Sequence, residues 1–99
     1  MLIRTVRMTF QPGKIEDFLK IFNDSKTKIR GFKGCQHLEL WQDHCQENIF
    51  TTYSYWEDES ALNKYRESEL FKEVWGQTKL LFSEKPRAFS QKKFQEVQL

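Results

Sequence analysis

One stretch constrains this chain more than any other. Residues 49 to 56, Ile-Phe-Thr-Thr-Tyr-Ser-Tyr-Trp, contain no glycine or proline and are dominated by aromatic and β-branched side chains. That composition suits a pleated, half-buried strand. The strand ends on Tyr55-Trp56 and runs straight into the acidic helix start Glu57-Asp58-Glu59-Ser60. Asp58 is placed to cap a short helix carrying Ala61, Leu62 and Tyr65. A second helix start, Ser68-Glu69, follows about one helix later, with Leu70, Phe71, Val74, Trp75, Thr78, Leu81 and Phe82 on one stripe. Gly76 inside that helix reads as tolerated on an exposed face rather than as room for a ligand.

The rest of the chain supplies partners for that strand. Leu2, Val6, Met8 and Phe10 share one face of a period-two segment, Thr5, Arg7 and Thr9 take the other, and Arg4 interrupts the apolar face. Gln11-Pro12-Gly13 is a turn. Ile15, Phe18, Leu19, Phe22 and Ile29 then follow helical spacing, and the helix should stop near Gly31. Cys35 to Trp41 is a further strand, joined to residues 49–56 by the polar loop Asp43 to Asn48. Pro86 closes the helical region, and Ala88 to Val97 reads as a last strand. Phe89 and Phe94 lie an odd number of positions apart, which implies a bulge or a change of face there.

The order strand, helix, strand, strand, helix pair, strand is a ferredoxin-like α+β pattern: a four-stranded antiparallel sheet with helices on one face. All 99 residues fit one domain, and such a domain buries only about 60–65% of its unfolded surface. Nine Phe, three Trp and three Tyr are many aromatics for so small a core. The uncovered sheet face would show Ile3, Thr5, Arg7, His37, Glu39, Trp41, Ile49, Tyr53 and Tyr55. A bare face of that kind predicts a homodimer packed sheet on sheet.

Composition excludes several classes. A net charge of +2 built from many charges of both signs gives no case for nucleic acid or a membrane surface. The apolar runs are too short for a bilayer-crossing helix, and the N-terminus lacks the features of a signal peptide. Two cysteines are too few for a disulfide framework, so a cytoplasmic location is expected. Cys35, His37, His44 and Cys45 match no usual zinc spacing, so no metal is expected. No phosphate loop and no Ser–His–Asp arrangement is present.

Phe32-Lys33-Gly34-Cys35, His37-Leu38-Glu39-Leu40, Tyr53 to Trp56 with its acidic helix start, and Ser68-Glu69-Leu70-Phe71 occur in an order and spacing that resembles the antibiotic biosynthesis monooxygenase family. The resemblance implies a dimeric α+β barrel. It also implies a cofactor-independent monooxygenase that oxidises a phenolic, polyketide or quinol-like aromatic with molecular oxygen. A non-catalytic small-molecule-binding or stress-related domain is the alternative. A haem-degrading branch of the family uses an asparagine, a tryptophan and a histidine where this chain has Val6, Tyr65 and Trp75, so that activity is not expected. Another branch often has a histidine where Glu69 stands.

Candidate site residues follow from both readings. Arg4, Thr52 and Ser54 are polar on an otherwise apolar, helix-facing sheet surface, as in a pocket with a few converging polar groups. The alternative is local hydrogen bonding by Thr52 and Ser54. Arg4, Val6, Thr52, Phe71 and Trp75 are the candidates for substrate binding, and Tyr65 and His37 for catalysis. His37 shares its strand face with Glu39, which could orient the imidazole. Parity, however, turns that face toward the partner subunit rather than toward the pocket.

Overall fold

In the computed structural model, which describes all 99 residues, four strands form one antiparallel sheet in the order β2-β3-β1-β4. The strands are β1 (Leu2–Thr9), β2 (Cys35–Gln42), β3 (Ile49–Trp56) and β4 (Arg87–Gln91). The helices are α1 (Ile15–Arg30), α2 (Glu59–Glu67) and α3 (Glu69–Thr78), followed by a single 3₁₀ turn over Lys79–Leu81. The ferredoxin-like α+β pattern is therefore realised. β3 lies inside the sheet, paired to β1 along its whole length and to β2 from Phe50 to Trp56.

The capping chemistry sits where the sequence placed it. The Asp58 carboxylate accepts from the Ala61 amide at 2.8 Å, and the Ser68 hydroxyl accepts from the Phe71 amide at 3.1 Å. Each satisfies one otherwise orphaned helix donor. Ser68 ends α2 and starts α3, so the chain turns there without a linker. α1 stops at Arg30, as expected, but Gly31 keeps right-handed geometry. The left-handed residue is Gly34, at φ +93°, on the tight approach to β2. Gly76 faces open space, which agrees with the tolerant reading.

Two apolar clusters brace the helix side of the sheet. Met8, Phe10, Phe18 and Phe50 form one, with Phe10 and Phe18 stacked at 4.2 Å. Cys35, Trp56 and Leu62 form the other, against Phe32 and Tyr65. Trp56, 1% exposed, donates its indole N–H to Ser54 Oγ at 3.0 Å, which settles the polar group of the largest side chain in the core.

Four sequence expectations need correction. The last strand ends at Gln91 rather than Val97, and its pairing with β1 runs unbroken from Arg7↔Arg87 to Ile3↔Gln91. Phe94 and Val97 lie beyond this ladder and stand 89% and 88% exposed. The bulge lies in β2, between Cys35 and His37, rather than in β4. It turns Cys35 inward beside Trp56 while leaving His37 on the open face. Ile49, expected on that open face, is buried. The helical stripe also stops earlier than its apolar residues do: Phe82 is extended and bridges to Phe10.

Candidate active site

A cavity of about 300 Å³ opens between the sheet and the helices. The alternation of β1 and β3 builds its floor. Arg4 lies opposite Ser54, and Val6 opposite Thr52, all on the helix-facing side. Phe22 of α1, Tyr65 and Arg66 of α2, and Phe71 and Trp75 of α3 supply the walls. Both apolar clusters contribute at the ends, through Met8 and Phe18 on one side and Trp56 and Leu62 on the other. The volume is at the small end for a ligand pocket.

The walls are largely aromatic. Tyr65 stacks on Trp56 at 4.9 Å and meets Phe71 edge-on at 5.2 Å. Phe71 in turn stacks on Trp75 at 5.8 Å, and Trp75 meets Phe82 at 5.5 Å. A planar ligand entering here would meet ring faces and edges, the geometry that aromatic pairs favour.

The polar groups are few. Burial pushes the Tyr65 phenol far above its ordinary range, and the neighbouring Cys35 adds to the effect. Tyr65 therefore stays neutral at any physiological pH, and its O–H is free to donate a hydrogen bond. Arg4 donates to Ser90 Oγ of β4 at 2.9 Å. Burial lowers the Arg4 pKa, and the charge of Arg66 lowers it further, but a guanidinium remains a cation at physiological pH. Ser54 is taken up locally: its Oγ accepts from Trp56 and lies 3.5 Å from the Arg4 carbonyl oxygen. That fits the local reading for Ser54 and leaves Thr52 as the hydroxyl of the floor.

The structure brings Arg4, Val6, Thr52, Tyr65, Phe71 and Trp75 together around one space. It does not bring His37 there. His37 projects from the opposite sheet face, where Nε2 contacts Glu39 and its ring lies 5.1 Å from that of Tyr55. Trp41 donates to the same Glu39 carboxylate at 2.8 Å, and these two hydrogen bonds, Trp41 first, hold Glu39 below its usual pKa. The Tyr53 and Tyr55 hydroxyls meet at 2.5 Å beside them. Arg66 was missed in the sequence, where a charge on a short helix passes for a solvated one. Its signal was there: Leu62 and Arg66 are four apart and share a helix face with Tyr65.

Fold and cavity together define an α+β domain with an aromatic-walled cavity between its sheet and its helices. The model of a known family, antibiotic biosynthesis monooxygenase, matches residues 1–75, and the chain belongs to that family. Among solved structures, one described as an antibiotic biosynthesis monooxygenase superposes with a TM-score of 0.90 at 18% identity, covering 96% of this chain and all of the other. A conserved protein from Methanosarcina mazei Go1 gives 0.87 at 21% identity, covering 94% of this chain and 93% of its own. PA3566 from Pseudomonas aeruginosa gives 0.84 at 20% identity, covering 95% and 94%. At these identities the likeness is one of fold. A search of curated proteins finds no match.

Proposed function

We propose that this protein is a cofactor-independent monooxygenase that oxidises a phenolic, polyketide or quinol-like aromatic with molecular oxygen. The observation that carries this reading is the cavity itself: an aromatic slot whose only charged groups are Arg4 and Arg66, with the neutral Tyr65 phenol buried in its wall. A water-poor site strengthens interactions with a substrate anion. No Asp, Glu or His lines it, so ionisation of the substrate rests on cationic stabilisation of the anion rather than on a side-chain base. Tyr65 donates to the developing oxyanion.

The reaction balances without an added reductant. A ring-activated CH₂ of the phenolic substrate loses a proton to solvent water, since no side-chain base lines the cavity, and the delocalised anion gives one electron to O₂. The resulting radical and superoxide join as a C–O bond, and protonation yields a hydroperoxide. Cleavage of its O–O bond with loss of the second C–H hydrogen leaves C=O and one water. One oxygen atom enters the product and the other becomes water.

The working form in this proposal is a cytoplasmic homodimer. The uncovered sheet face presents Trp41, Tyr53, Tyr55, Phe89 and the His37–Glu39 pair, and the exposed Phe94 and Val97 lie beyond it in sequence. Apolar surface of that kind favours a two-fold partner. Both cysteines are unbridged, consistent with a reducing compartment.

Oxygen uptake by purified protein with a panel of phenols, hydroquinones and phenols that carry a ring-activated CH₂ tests the activity, alongside Trp75→Ala. Uptake above the buffer rate that falls in the variant is the expected result. A folded protein with no uptake across the panel would favour a non-catalytic binding domain, the reading that the missing side-chain base supports.

A further inference from the structure

Arg4 and Arg66 reach the same cavity from different elements, one from the central strand β1 and one from α2. Neither takes part in an ion pair, although the chain forms five elsewhere. No carboxylate lines the cavity to offset them. Two like charges beside a low-dielectric wall repel, and an arrangement of this kind is relieved by an anion placed between them. Guanidinium groups suit that anion when it is planar and can accept two hydrogen bonds at once. Ser90 holds Arg4 at 2.9 Å, so one of the two is fixed in place, while Arg66 stands exposed at the rim.

We infer that the Arg4–Arg66 pair is a carboxylate subsite, and that the cognate ligand is a hydroxylated aromatic carboxylic acid. This rests on the cavity described above being the substrate site. The carboxylate lies at the arginine end, and the ring system lies along Tyr65, Phe71 and Trp75. The phenolic end is thereby directed at Tyr65, which adjoins Arg66 on α2, so the cations still favour the anion formed there. A neutral hydroquinone would fill the slot but leave the cations unmatched.

Calorimetric titration of the purified protein with a hydroxynaphthoic acid, and with its methyl ester, tests this without requiring turnover. The acid should bind at least tenfold more tightly than the ester, and added salt should weaken only the acid. Arg66→Gln, on an exposed helix position, should weaken the acid severalfold and leave the ester unchanged. Arg4→Gln should do the same, and the ester serves as the control for an intact cavity. Equal affinities for acid and ester, or acid binding indifferent to both substitutions, would overturn the inference. Oxygen uptake separates it from the oxygenase reading. Selective binding of the acid without oxidation upholds the subsite and removes the reaction. Oxidation of neutral quinols as fast as acids overturns the subsite and keeps the reaction.

Discussion

Gly34 is the position where a single methyl group should cost most. Its φ of +93° is one that a residue with a Cβ adopts only under strain, costing about 1–2 kcal/mol. A Cβ placed there would lie 2.5 Å from the Cβ of Ala61 on α2. Carbon atoms rest at about 3.5–4.0 Å, so α2 would have to retreat by roughly 1 Å. Overpacking of that kind costs about 1–3 kcal/mol. Retreat is resisted because the Glu57 amide donates to the Gly34 carbonyl at 2.9 Å, tying the start of α2 to this turn. Gly34→Ala should therefore lose about 2–5 kcal/mol of a total of about 5–15. Urea unfolding at one fixed protein concentration measures it, as a midpoint lowered by about 1 M or more at unchanged slope. A second substitution isolates the clash. Ala61→Gly alone should destabilise by about 1 kcal/mol, yet in the Gly34→Ala background it should be neutral or stabilising. Because α2 carries Tyr65 and Arg66, ligand affinity should fall in the single variant and recover in part in the double. A loss under about 1 kcal/mol, or simple additivity of the two changes, would refute the reasoning.

Three further outcomes follow from the geometry. Tyr65→Phe should keep stability within about 1 kcal/mol of the parent, since no protein group bonds its hydroxyl, while lowering oxidation of any substrate the protein accepts. Urea unfolding and oxygen uptake measure the two. Absorbance titration at 295 nm should find the Tyr53 phenol ionising late. Its hydrogen bond with Tyr55, followed by burial, pushes its pKa up to about 12 from 10. A phenol raised in this way stabilises the fold fully below pH 10 and loses that contribution as pH climbs from 10 to 12, so Tyr53→Phe should remove one late-titrating group and flatten the alkaline loss of stability. Light scattering should give twice the 12.0 kDa chain mass, and Tyr53→Glu should shift the protein toward one copy, because it sets an unmatched charge amid the aromatic face.

Much of this fold was legible because its signals are local. Asp58 and Ser68 mark helix starts through their own side chains, and the period-two run from Leu2 to Phe10 says which side of β1 is buried. The cavity residues Arg4, Val6 and Thr52 were legible for the same reason, since alternation alone puts them on one face. What failed depended on partners distant in sequence. Phe94 and Val97 look like strand residues, but the ladder with β1 ends at Gln91, before it reaches them. The bulge after Cys35 arises where β2 meets β3, and neither strand announces it alone. Arg66 carries no mark of the cavity until α2 is docked beside Arg4.

The alternation of β1 and β3 also constrains how this protein can change. Val6 and Thr52 face the cavity, while their neighbours Thr5 and Tyr53 face away from it, so each strand writes two surfaces in interleaved letters. Substitution can revise one surface and leave the other as it was. Insertion or deletion of one residue cannot, because it exchanges the two sets at a stroke, sending Tyr53 and Tyr55 into the helices and Thr52 and Ser54 outward. Point changes within β1 and β3 can therefore retune the cavity without touching the outer face, whereas a change of length is best absorbed in the turns or after Gln91.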